Sequence, residues 1–104
     1  MTTELKPGAR FRSAVCTTEV IVVRSPGGEL DLRCGGHPLV ALDQDPPVGL
    51  ELKPGMDAGS AIGKRYTDEA GTLELLCTKA GQGTLSTGDV ALRLKDAKPL
   101  PSSD

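Results

Sequence analysis

The pentapeptide Glu4-Leu5-Lys6-Pro7-Gly8 occurs a second time, unchanged, as Glu51-Leu52-Lys53-Pro54-Gly55. A chain that repeats itself is constrained to build one kind of unit twice and to bury the two against each other. At the same offset of 47 residues, Ser13-Ala14-Val15 is answered by Ser60-Ala61-Ile62. After a four-residue deletion the match resumes, with Gly28-Glu29-Leu30-Asp31-Leu32-Arg33-Cys34 facing Gly71-Thr72-Leu73-Glu74-Leu75-Leu76-Cys77. This register makes Cys34 and Cys77 equivalent. It predicts two related halves, residues 4–42 and 51–94, inside a single domain spanning 1–104. Residues 43–50, with Pro46-Pro47 and Gly49, read as the linker. Residues 96–104, with Pro99 and Pro101, read as an extended tail.

The local patterns are those of short strands. Leu30 and Leu32 alternate with Asp31 and Arg33, Leu73 and Leu75 with Glu74, and Val90, Leu92 and Leu94 with Ala91, Arg93 and Lys95. A period of two places one face inward and one outward. The run Val20-Ile21-Val22-Val23 is apolar throughout, which predicts a central strand covered on both faces. Thirteen glycines and eight prolines punctuate these runs, as at Pro26-Gly27-Gly28, Gly81-Gln82-Gly83 and Thr87-Gly88-Asp89. The expectation is an all-β fold, a small barrel or sandwich of short antiparallel strands. One helical turn over 56–62 is the single exception, and Gly59 weakens it.

Charge and composition exclude several functions. Net charge is −2, and the twelve Lys and Arg residues are scattered. A duplex binder needs a concentrated positive surface, and base stacking needs aromatic faces. Phe11 and Tyr66 are the only aromatic residues, so no nucleic-acid partner is expected. The longest aliphatic run has four residues, against the ~20 that span a bilayer, so no membrane partner is expected either. Three cysteines with no export signal predict a reduced, cytoplasmic protein.

The residues with chemistry to offer are Cys16, Cys34, His37 and Cys77. Cys34-Gly35-Gly36-His37 has the two-residue spacing of a metal knuckle, whose glycines let backbone N–H groups face a thiolate. With Cys16 and Cys77 the set makes a Cys3His candidate site for zinc or iron. The competing reading is packing. Cys34 shares strand parity with Leu30 and Leu32, Cys77 with Leu73 and Leu75, and Cys16 with Val20 and Val22. Free cysteine is among the most buried residue types, and packing is the favoured reading. A thiol nucleophile at Cys34 activated by His37 is a further candidate. No third group is evident to orient the ring, so a turn histidine is the simpler reading.

A family likeness enters at Gly8, Phe11, Cys16, Val20, Val22, Gly27, Gly28, Leu32, Cys34 and Gly35. Over residues 8–40 this series resembles desulforedoxin and the N-terminal iron domain of desulfoferrodoxin. That family's pattern places Cys at four positions, here 13, 16, 33 and 34. Ser13 and Arg33 replace two of them, so the resemblance does not bring the four-thiolate iron site with it. What it implies is a compact β unit that pairs with a second copy.

With no complete constellation in the sequence, the expected function is that of a small non-catalytic binding or accessory protein, such as a small subunit docking on a larger enzyme. No cofactor and a protein partner are expected. The alternative is a mononuclear zinc or iron protein of rubredoxin type.

Overall fold

The computed structural model describes residues 3–88 and 90–95; the tail at 96–104 lies outside them. Twelve short strands succeed one another among these residues: β1 (Thr3–Glu4), β2 (Arg10–Arg12), β3 (Glu19–Arg24), β4 (Glu29–Leu30), β5 (Leu32–Cys34), β6 (His37–Pro38), β7 (Val40–Ala41), β8 (Arg65–Thr67), β9 (Glu74–Lys79), β10 (Leu85–Thr87), β11 (Val90–Ala91) and β12 (Arg93–Leu94). The fold is all-β. A six-stranded antiparallel sheet runs β12-β8-β9-β3-β2-β7, and a four-stranded one runs β11-β10-β5-β6. A two-stranded ribbon, β1-β4, completes the set. One aliphatic core lies between the two larger sheets, as in a small sandwich. Val20, Val22, Leu75 and Cys77 enter it from one side, and Leu32, Cys34 and Leu85 from the other.

Both sheet orders read the same from either end once β2 is matched to β8, β3 to β9, β5 to β10, β6 to β11 and β7 to β12. The match holds bond by bond. Gly8 N–H donates to Val22 O at 2.8 Å, and Gly63 N–H donates to Cys77 O at 2.8 Å. Leu39 N–H donates to Leu32 O, and Leu92 N–H to Leu85 O. Across the interface, Gly35 N–H donates to Thr84 O at 2.9 Å while Gly88 N–H donates to Asp31 O at 2.8 Å. These pairs are related by an offset of 55 residues up to β9 and 53 after it. An approximate twofold axis therefore passes between the cross-strand pairs Ile21–Leu76 and Arg33–Ser86.

This is not the register of the repeated pentapeptide. At the observed offsets Cys34 corresponds to Thr87, and Cys77 to Val22. Cys34 faces Leu85 and Cys77 faces Val20, in different sheets. The pentapeptide instead encodes a local turn. Ala9 N–H closes on Lys6 O, and Met56 N–H on Lys53 O. Gly8 and Gly55 take φ of 90° and 81° behind Pro7 and Pro54. Proline followed by a positive-φ glycine is the signature of a type II turn.

Three further expectations change. No helical turn forms at 56–62, because Ser60 makes an antiparallel bridge to Gly81 and Gly59 takes φ of 96°. Residues 90–94 are two strands, not one: β11 joins the four-stranded sheet and β12 the six-stranded one, with buried Leu92 at the corner. Leu39 plays the same part between β6 and β7. Strand β3 is central, as its composition requires, but its two faces are unequal. Val20 and Val22 are buried, Ile21 is half-buried, and Val23 is 41% exposed.

Candidate functional site

The loop of residues 13–18 carries the chain from β2 into β3. Ser13 organises it: its hydroxyl oxygen accepts the N–H groups of Val15 and Cys16, each at 3.1 Å. A serine side chain satisfying the amides two and three residues on is a common way to fix a tight corner. The Thr17 hydroxyl donates to Ala80 O at 2.6 Å and ties the corner to the segment after β9. So held, Cys16 points at the end of β5, and its sulfur lies 3.7 Å from that of Cys34.

Three positions of the resemblance thus converge. Cys16 Sγ is 3.2 Å from Ser13 Oγ, 3.2 Å from Thr18 Oγ1 and 3.7 Å from Cys34 Sγ. The fourth diverges, because the Arg33 guanidinium is engaged by Asp31 at 2.9 to 3.1 Å. Two thiols and a hydroxyl do not make the four-thiolate set of an iron centre.

The other two residues of the Cys3His expectation lie elsewhere. His37 Nε2 sits 2.8 Å from Glu51 O, where the ring holds the segment that crosses over the Gly35-Gly36 turn. Lys53 N–H donates to Gly35 O in the same contact. The Cys77 thiol donates to Lys79 O at 3.2 Å. Among the described residues no three His, Cys, Asp or Glu side chains gather as a metal set would. Cys34 and Cys77 are buried, as their strand parity requires; Cys16 lies in a loop and is only half-buried.

The two thiols of the pair differ sharply in acidity. Burial works against a thiolate at Cys16. Hydrogen bonds with the Ser13 and Thr18 hydroxyls and from the Thr18 and Gly83 amides outweigh it and bring the thiol down to about 7. Cys34 is pushed up to about 12, first by its deeper burial and then by the charge of Cys16, against the hydrogen bonds of Ser13 and Thr18. Burial also raises the Cys77 thiol, with a backbone hydrogen bond at Lys79 opposing and Cys16 adding a smaller push. Of the two, Cys16 therefore ionises well before Cys34, the nucleophile candidate that the sequence offered beside its simpler reading. The acidity of Cys16 is set by hydroxyls and amides rather than by His37.

Sequence reasoning missed Gly81 and Gly83. Read only as a turn, Gly81-Gln82-Gly83 is the lid on the pair. A Cβ at position 83 would fall 2.7 Å from Cys34 Sγ, 2.9 Å from Gly35 N and 3.2 Å from Cys16 Sγ. A Cβ at position 81 would collide with Thr18 Oγ1. The available signal was two glycines one residue apart; what they approach belongs to the other half of the chain. The glycines of the Cys34 turn act differently from expectation, since Gly35 N–H is taken by Thr84 O and the amides at the sulfur come from Thr18 and Gly83.

Comparison of the chain with protein-family models, with curated proteins and with solved structures finds no match.

Proposed function

We propose that the protein works as a two-electron thiol–disulfide couple, with Cys16 as the attacking and Cys34 as the resolving cysteine. The observation that carries this reading is the 3.7 Å separation of a half-buried sulfur and a fully buried one. Closing a disulfide asks the sulfurs to approach by roughly 1.7 Å, to the usual bond length of about 2.05 Å. The donor set supports the division of labour. Thiolate character follows accessibility and nearby hydrogen-bond donors, both of which favour Cys16.

The chemistry balances with a disulfide as oxidant. The Cys16 thiolate attacks one sulfur of R–S–S–R, forming a mixed disulfide and releasing one RS⁻. The Cys34 thiol gives its proton to solvent, attacks Cys16 Sγ and releases the second RS⁻. Two protein thiols become one disulfide, and one external disulfide becomes two thiols. The non-catalytic accessory role expected from composition is the second reading. Leu94, 51% exposed, lines an open groove with Ala58, Ala61, Tyr66 and Ala91 that a protein partner would cover.

The test is mass spectrometry of the intact protein equilibrated in a graded series of oxidised and reduced dithiothreitol. The expected result is a loss of about 2 Da that maps to a Cys16–Cys34 link, with Cys77 still alkylatable. Cys16→Ser and Cys34→Ser variants should not show it. A wild-type protein that stays fully reduced across the series, or that yields stoichiometric zinc or iron bound through Cys16 and Cys34, overturns the reading.

A further inference from the structure

Cys16 opens onto the surface through a small cavity of about 210 Å³ whose walls include Arg12, Ser13, Glu19, Pro46 and Lys79. Its two cations are weakly committed. Arg12 meets Asp45 only at 3.9 Å, and that carboxylate is fully exposed. Lys79 meets Glu19 at 3.9 Å, with the lysine more than half exposed. Exposed ion pairs of this length are weak and exchange partners readily. Arg12 Nε is buried and has no hydrogen-bond partner among the described residues. A buried donor without an acceptor is costly, and the third of the Arg12 side chain that stays exposed is where an incoming acceptor can meet the guanidinium. Arginine suits such an acceptor when it is a planar carboxylate, which meets the guanidinium edge with two parallel bonds.

We propose that the mouth of the thiol pair selects small disulfides that carry carboxylates. The inference rests on the thiol–disulfide reading above and adds its substrate class. A carboxylate seated on Arg12, with Asp45 displaced into solvent, would hold one end of the disulfide beside Cys16. Lys79, across the cavity, neutralises the charge of the departing carboxylate-bearing thiolate. Glu19 sets the limit: it stays with Lys79, so Arg12 provides most of the selection.

The experiment compares three small aliphatic disulfides: 3,3′-dithiodipropionate (dianionic), bis(2-hydroxyethyl) disulfide (neutral) and cystamine (dicationic). Rates of Cys16–Cys34 disulfide formation at pH 7 are each divided by the rate of the same reagent with free 2-mercaptoethanol, which removes intrinsic reactivity. The dianionic reagent is expected to be favoured over the neutral one by about tenfold at low ionic strength, shrinking severalfold in about 0.5 M salt as screening grows. Arg12→Gln should abolish most of the preference. Lys79→Gln, at an exposed position that the fold does not depend on, should roughly halve it. Equal normalised rates for the three reagents, while the disulfide still forms, overturn the selection and leave the thiol couple standing. A preference for cystamine does the same. Failure of all three reagents to close the disulfide overturns both.

Discussion

The corner at residues 13–18 and its twofold counterpart at 68–73 share a closing backbone hydrogen bond but differ in turn and in chemistry: Gly71 takes φ of 74°, whereas no residue other than glycine has a positive φ among the described residues. In both, the residue that follows the first strand of a hairpin caps the turn with a side-chain oxygen. Ser13 accepts from Val15 and Cys16, and Asp68 accepts from Thr72 and Leu73 at 2.9 and 3.2 Å. In both, the amide of that residue closes on the carbonyl five residues later, Ser13 on Thr18 and Asp68 on Leu73. The two corners differ in the residues around the cap. Cys16 becomes Gly71, and Cys34 becomes Thr87. A neutral cap leaves room for a neighbouring thiolate, whereas a carboxylate there would repel one. The closing hydrogen bond and the side-chain cap are therefore common to both halves of the fold, and the thiol site is present in one of the two.

The lid gives the largest expected break in this comparison. Gly83 corresponds to Leu30 in the other half, where a long side chain is accommodated. A Gly83→Ala change should destabilise the protein by about 1–3 kcal/mol through overpacking against Cys34 and Gly35. Urea unfolding measures this, and unchanged stability would show that the lid yields. Next in size is the cap itself. Asp68→Ala removes the acceptor of two amides and the Thr72 hydroxyl and should cost about 1–2 kcal/mol, with Ser13→Ala at the lower end of that range. Equal losses at the two sites would mean that the charge of Asp68 contributes nothing.

The acid limb of stability sharpens the comparison further. Burial opposes ionisation of Asp68, but the amides of Leu73, Thr72 and Gly71 and the Thr72 hydroxyl hold its carboxyl below the usual range. Glu74 is lowered as well, first by its hydrogen bond to Lys95 and then by the charges of Lys95 and Arg65. A carboxyl with a depressed folded-state pKa stabilises the protein above its unfolded-state pKa, and the contribution is lost as pH falls through the folded value. Stability should thus fall with acid, and Asp68→Asn should flatten the fall. The neutral cap Ser13 adds no such slope to its own corner, so an unaltered acid limb in Asp68→Asn would contradict the assignment. The smallest effect is on reactivity. Alkylation of Cys16 should show its midpoint at about pH 7, and Ser13→Ala should move that midpoint upward. A midpoint that stays in place would leave the Thr18 hydroxyl and the backbone amides as the whole cause.

Particular residues show how far the sequence could be read. The alternation at Leu30–Leu32 and Leu73–Leu75, and the burial of Cys34 and Cys77, come from strand periodicity, which side-chain direction obeys directly. The true twofold register was hidden, because hydrogen-bond ladders are satisfied by any residue with a backbone amide. Gly8 and Gly63, Arg10 and Arg65, Glu19 and Glu74, Leu32 and Leu85, and Leu39 and Leu92 are among the identities it retains. The pentapeptide gave a louder signal because a type II turn demands particular residues, wherever in the fold it sits. The role of His37 was equally unreadable, since its partner Glu51 O is a main-chain atom.

The central pairing of β3 with β9 has a consequence for how the chain comes apart. Each half keeps its longest strand against that of the other, and β5 against β10 besides, so cutting the polypeptide within residues 43–50 would leave two fragments with two raw edges apiece. Each fragment's natural mate would be the other, or a second molecule of itself. Reassembly of the separated pieces, and self-association of either one alone, should accordingly be two outcomes of the same exposed ladders.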